Sequence, residues 1–171
     1  MTATVNCFDW TEPDEEFYRF ITDLVRPVGT YLYGRRLYES MAVWETDPAL
    51  AAVSELMAAF AGVWRAADKI VYSTTLDAVS TDRTRLEHRF DPASVRGLKA
   101  SATRDLTVGG ANLAAQALGA GLVDEYHLFV HPVLVGGGKP ALPSDLRAEL
   151  ELLDERRLGS GLVYLRYRIP S

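Results

Sequence analysis

Apolar positions near the start of the chain recur at helical spacing. Phe17, Phe20, Ile21, Leu24 and Val25 share one face until Pro27 ends the pattern, which predicts an amphipathic helix. Thr11-Glu12-Pro13-Asp14 precedes it, with Thr11 as the expected cap and Pro13 in the first turn. Glu12, Asp14, Glu15 and Glu16 then form an acidic first turn. Thr30 to Tyr33 is short, β-prone and bounded by Gly29 and Gly34, so it predicts a strand running into a second helix from Arg35 to Trp44. Asp47-Pro48 opens a third helix, with Val53, Leu56, Met57 and Phe60 on its apolar face and Gly62 at its end. Lys69 to Ser73 predicts a strand, Leu86 to Phe90 a weaker one, and Asp91-Pro92 starts a helix running to Ser101. Asp105 to Val108, the Gly109-Gly110 turn and Ala111 to Leu118 form a strand-turn-helix unit, closed by Gly119 and Gly121.

The rhythm then changes to strands. Tyr126 to Val135 predicts a long one, and Leu150 to Arg156 and Leu162 to Ile169 predict two more, joined around Gly159-Ser160-Gly161 with no room for a helix. That last pair should be antiparallel. The expected architecture is an α/β domain with a mixed, mostly parallel sheet, crossover helices in the first two-thirds and an antiparallel hairpin at the C-terminus.

The 171 residues fit one domain over the whole chain, 1–171, with a substantial core. Apolar residues make up 48%, charged residues 24%, and mean hydropathy is −0.02, which excludes a disordered or collagen-like chain. The net charge of −5 speaks against nucleic-acid binding. Cys7 is the sole cysteine, so no internal disulfide is expected and a reducing compartment fits. Neither a membrane-crossing run nor a secretory signal is visible in the sequence, which makes the cytosol the expected location.

Two strand-to-helix junctions carry candidate chemistry. In Val108-Gly109-Gly110-Ala111-Asn112-Leu113, glycines precede a helix whose free N–H groups can receive a diphosphate; the same glycines would equally serve a tight turn, and the full G-x-G-x-x-G fingerprint is absent. In Gly34-Arg35-Arg36-Leu37-Tyr38-Glu39, two guanidinium groups stand at a helix start, either as a phosphate site or as a solvated basic turn. Positive charge there opposes the helix dipole, which an arriving anion would offset. Gly136-Gly137-Gly138-Lys139-Pro140 reads as a flexible turn or a phosphate loop. His88, His127 and His131 lack metal-ligand spacing, since His127 and His131 would lie about 13 Å apart on one strand.

Taken together, Leu32-Tyr33-Gly34-Arg35-Arg36-Leu37-Tyr38-Glu39, Lys69-Ile70-Val71-Tyr72-Ser73, Asp105-Leu106-Thr107-Val108-Gly109-Gly110-Ala111, and Asp124-Glu125-Tyr126-His127-Leu128 running on to Pro140 match in order and spacing. They resemble the dihydrofolate reductase superfamily, and more closely its riboflavin-biosynthesis branch, the C-terminal domain of the bifunctional deaminase-reductase. The resemblance implies a dihydrofolate reductase-like sheet and hydride transfer from NADPH to a small nitrogen heterocycle. That substrate would be pterin-like or like 5-amino-6-ribosylamino-pyrimidine, as in 5-amino-6-(5-phosphoribosylamino)uracil reductase activity. By position, Gly34, Arg35, Arg36 and Leu37 would meet the adenosine 2′-phosphate or the diphosphate, Ser73 and Thr74 the adenosine side, and Gly109, Gly110, Ala111, Asn112 and Leu113 the diphosphate.

Two features depart from that pattern. Relatives open with a strand ending in a Ser-Leu-Asp-Gly-like turn, absent here, so either Thr2 to Cys7 is a replacement strand or the sheet lacks a central element. Leu37 stands where relatives often have Thr. The proton donor is unassigned, although Asp14 and Asp23 fall in the helix where the classical reductases keep a carboxylate. Two alternatives stand beside the reductase: a non-catalytic nucleotide or small-molecule binding protein that kept the fold, and a homodimer pairing through the long strand with Tyr126, Leu128 and Val130.

Overall fold

The structure, a computed structural model, describes residues 1–5, 13–134, 136–137, 140, 142–143 and 146–170. Eight strands form one sheet: β1 (Thr2–Val5), β2 (Val28–Gly34), β3 (Asp68–Tyr72), β4 (Thr84–Glu87), β5 (Asp105–Gly109), β6 (Glu125–Val130), β7 (Glu151–Arg157) and β8 (Val163–Arg168). Among the described residues, six helices cover it: α1 (Glu15–Val25), α2 (Arg35–Thr46), α3 (Pro48–Ala51), α4 (Glu55–Ala66), α5 (Pro92–Ser101) and α6 (Ala111–Gly119). The strand order is β4-β3-β2-β5-β1-β6-β8-β7, parallel from β4 to β6 and antiparallel from β6 through β8 to β7. This is the dihydrofolate reductase-like α/β architecture.

The amino-terminal strand is present and central. β1 lies between β5 and β6, with Thr2 opposite both Thr107 and Glu125, so the first segment replaces the expected opening strand. Residues 6–12, including Cys7 and Thr11, lie outside the described residues.

Alternation sends side chains to two cores. Leu32, Ile70, Leu106, Val108 and Tyr126 pack with Val95 of α5 and Leu113 and Ala117 of α6 on one face. Tyr31, Tyr33 and Val71 face the other way, against Tyr38 and Ala42 of α2 and Trp64 of α4. Phe17 and Ile21 of α1 meet Phe129 and Tyr164 beside them. Burial on both faces explains why β2 reads as a continuous Tyr-Leu-Tyr run rather than an alternating one.

Four local expectations need correction. The helix cap is Asp14, whose side chain accepts from the Phe17 amide at 2.8 Å. The predicted third helix is two: the chain turns at Ala52–Ser54, Ser54 caps α4 through the Met57 amide at 3.2 Å, and Val53 is 69% exposed rather than core. Gly62 lies inside α4, which runs on to Ala66. The weak strand comes earlier, at Thr84–Glu87, leaving Phe90 edge-on to Tyr72 at 5.3 Å.

The long strand ends at Val130, because Pro132 has no N–H to continue a ladder. Val135, at its predicted end, lies outside the described residues. Both edges of β6 are already paired, to β1 and β8, so Glu125–Val130 offers no free ladder edge to a second copy; among the described residues, β7 is the outer strand on that side.

Candidate functional site

The central parallel strands all end at one edge of the sheet, and the predicted binding residues gather there. Gly34 of β2 pairs with Tyr72, the residue before Ser73, while Tyr33 pairs with Gly109. The starts of α2 and α6 therefore stand side by side. Gly110 holds φ +95°, a conformation L side chains rarely adopt, and a methyl group built on it would lie 3.7 Å from the Gly34 amide nitrogen. A methyl group on Gly34 would meet nothing within 4 Å.

Among the described residues, the other four helices are capped by side chains, through Asp14, Asp47, Ser54 and Asp91. Only α2 and α6 begin at glycine with no side-chain cap and no acidic residue in the first turn. The N–H groups of two adjacent helix starts, which no side chain caps, thus stand beside the open space over Gly34, a fit for an anion and in particular a diphosphate. Arg35 and Arg36 are exposed on the first turn of α2, with Arg35 Nε 3.8 Å from Glu39.

The remaining predicted residues differ in what they offer. The Ser73 hydroxyl is already committed, accepting from the Thr75 and Leu76 amides at 3.1 and 3.0 Å, whereas Thr74 is exposed. Asn112 is exposed and Ala111 half-buried, while the side chain of Leu113 belongs to the core. Leu37 reaches from beside Gly110 into an adjoining cavity. Of the Gly136-to-Pro140 turn, Gly138 and Lys139 lie outside the described residues.

That cavity, of about 550 Å³, lies between the sheet and α1, α2 and α4, within the range of small-molecule sites. Phe17, Ile21, Met41 and Trp44 contribute apolar walls, and Gly109 and Leu37 bring it to the edge where the helix starts meet. Its floor is polar. Alternate residues Tyr31, Thr107, Glu125, His127 and Arg166 rise from β2, β5, β6 and β8. The Tyr33 hydroxyl accepts from Trp64 Nε1 at 3.1 Å. Tyr31, stacked on Tyr33 with centroids 5.3 Å apart, is 4% exposed and its hydroxyl has no partner among the described residues. Arg166 Nε is likewise buried and unpartnered. Burial raises the pKa of both Tyr31 and Tyr33, so each hydroxyl keeps its proton.

At the β6–β8 end, His127 Nε2 lies 3.3 Å from Glu125 Oε2 and its Nδ1 lies 3.1 Å from the Tyr164 hydroxyl. Burial pushes the His127 pKa below its ordinary value, outweighing the attraction of Glu125. Burial pushes Tyr164 up to about 12.

The model of the RibD C-terminal domain matches residues 11–164. The chain belongs to the RibD C-terminal domain family. It is also similar to the uncharacterized protein YyaP of Bacillus subtilis (strain 168), 29% identical over 169 residues, covering 93% of this chain and 82% of that protein. Among solved structures, a putative riboflavin biosynthesis protein from Shewanella sp. PV-4 superposes with a TM-score of 0.73 at 16% identity, covering 99% of each chain. Dihydrofolate reductase from Enterococcus faecalis, complexed with NADP(H), superposes with a TM-score of 0.63 at 12% identity, covering 100% of this chain and 97% of that one.

The glycine junctions are legible in the sequence, and the polar floor is not. Tyr31, Glu125 and Arg166 look like ordinary strand positions, and only their strand pairing puts them on one cavity floor. Tyr31, Tyr33, Glu125 and His127 do recur at spacing two, the one available signal that they share a sheet face.

Proposed function

We propose that this protein is an NADPH-dependent reductase of a small nitrogen heterocycle. The observation that carries this reading is the pair of uncapped, side-chain-free helix starts at Gly34 and Gly110, opening beside an apolar cavity with a polar floor. Family membership and the likeness to a dihydrofolate reductase that binds NADP(H) support it.

The backbone N–H groups at Gly34–Leu37 and Gly110–Leu113 would hold the diphosphate, and Arg35 and Arg36 would take a further phosphate such as the adenosine 2′-phosphate. Thr74 would stand beside the adenosine. When bound, a reduced nicotinamide supplies hydride. The protein contributes position: Leu37 and Gly109 link the two compartments, Phe17, Ile21 and Trp44 exclude water, and the polar floor orients the heterocycle by its edge. A pterin-like ring or a 5-amino-6-ribosylamino-pyrimidine fits such a slot by chemistry, being flat with polar edges. The cofactor-binding protein without turnover shares the same cradle, and we place it second.

Calorimetric titration with NADPH and NADH, followed by absorbance at the nicotinamide band with a panel of pterins and aminopyrimidines, tests this reading. Saturable, NADPH-preferring binding with oxidation by at least one ring is expected. Binding of neither dinucleotide would overturn it, and tight NADPH binding without oxidation across the panel favours the second reading.

A further inference from the structure

The cavity floor holds one hydrogen-bonded chain that positioning alone does not require. Glu125 and His127 stand two residues apart on β6, so both point to the cavity face, and His127 is opposite Arg166 in the ladder. The His127 side chain is 7% exposed and that of Glu125 35%. Both line the cavity, Glu125 the more exposed of the two, and Tyr164 stands behind His127.

The partners fix where the protons lie. A carboxylate accepts and cannot donate, so His127 Nε2 carries a hydrogen. Burial keeps the ring neutral, which leaves Nδ1 bare to accept from the Tyr164 hydroxyl. A second proton on the imidazole would turn Tyr164 from donor to acceptor, and the extra charge would rest against Glu125. Other charges face this pair: Arg166 on β8 and the amino terminus ahead of β1 oppose the second proton, while Asp23 of α1 and Asp105 of β5 line the same cavity.

We propose that the Glu125–His127 pair, braced by Tyr164, is the proton source of this cavity, Glu125 meeting the ring nitrogen of the heterocycle. This role rests on the reductase reading. The ring carbon gains a hydride from the reduced nicotinamide, forming a C–H bond. Binding of the ring draws one proton from water onto the pair, where it exchanges between the Glu125 carboxylate and His127. The C=N π bond breaks toward nitrogen, that nitrogen takes the proton from the Glu125 carboxylic acid, and the pair returns to carboxylate and neutral imidazole until water reloads it. Two electrons and one proton beyond the hydride balance the reduction. The ligand class follows: a flat ring with a basic C=N nitrogen at its buried edge.

The test counts protons without turnover. Pterin is titrated calorimetrically into the protein between pH 5.5 and 8.5, in buffers of different ionisation heat, for wild type, Glu125→Gln and His127→Gln. Wild type should take up about one proton per pterin near neutrality, since ligand and pair share a titration. Glu125→Gln should bind pterin at least tenfold more weakly at pH 6 and take up none, with unchanged NADPH affinity. His127→Gln should bind within threefold of wild type at pH 8.5 yet lose the uptake, which a purely structural role would leave in place. Thermal melts confirm that each variant is folded. Wild-type-like uptake in Glu125→Gln, or absence of pterin binding to wild type, overturns the proposal. Loss of NADPH binding alone, with proton-linked pterin binding intact, sinks the reductase reading and leaves the Glu125 contact standing.

Discussion

Replacing Gly34 by alanine adds one methyl group to a residue with ordinary extended torsions, φ −74° and ψ 157°, and that methyl meets no protein atom within 4 Å. The fold should barely notice it. Restricting the unfolded chain gains roughly 0.4–1 kcal/mol, and exchanging a glycine cap for alanine costs about as much. The melting temperature should stay within about 2 °C of wild type. The same methyl intrudes where the diphosphate would lie against the α2 amides. Losing one charge-assisted contact, at about 1.5–3 kcal/mol, predicts roughly 10- to 150-fold weaker NADPH binding. Gly110→Ala is the counterpart: its φ of +95° imposes about 1–3 kcal/mol of backbone strain, so melting should fall by roughly 2–10 °C along with affinity. Differential scanning fluorimetry and calorimetry read both quantities. Wild-type NADPH affinity in Gly34→Ala would refute the cradle, whatever the behaviour of Gly110→Ala.

Tyr31→Phe removes a buried hydroxyl without a partner while keeping the stack on Tyr33; melting should hold or rise, by up to about 1 kcal/mol in urea denaturation, and a drop above that size would show a hidden partner. Asp14→Ala should cost about 1 kcal/mol by uncapping α1 and weaken pterin binding, because α1 roofs the cavity; equal pterin affinity would disconnect the two. His127 has a folded pKa below its unfolded value, so its neutral form adds stability above about pH 6.5 that is lost as pH falls through the folded pKa; His127→Gln should flatten that slope in pH-dependent melts. Partial burial of Asp124 works to raise its pKa, yet hydrogen bonds from Lys99 at 2.6 Å and from the amino terminus hold it below the ordinary value. Its stabilisation is present above about pH 4 and lost at lower pH, and Asp124→Asn should remove less than about 1 kcal/mol because the carboxylate is largely solvated.

Elements with strong punctuation were legible in the sequence. Pro27 after α1, Asp91-Pro92 before α5 and Gly109-Gly110 before α6 are each backbone constraints, and the structure honours them. The split between α3 and α4 was not visible because Val53 sustains an apolar period although its side chain is exposed, and Ser54 acts as a cap only once the chain has turned. The end of β6 was readable from Pro132 but obscured by the apolar residues after it. At the site, the glycine junctions announced themselves because their chemistry is local: a turn and a helix start adjoin in sequence. Ser73 shows the limit, since its hydroxyl is spent on the following turn. The cavity floor depends on sheet order, with β1 inserted between β5 and β6, and strand order across parallel crossovers is a long-range property that no short motif carries.

Titrating NADPH into ¹⁵N-labelled protein and following the backbone amides probes the cradle most directly. Saturable shifts should concentrate at Gly34–Leu37, at Ser73–Thr74 and at Gly109–Leu113, the three segments that meet at one edge of the sheet. Saturable binding that moves amides elsewhere and leaves Gly34 and Gly110 still, or no saturable shifts at all, would contradict the site.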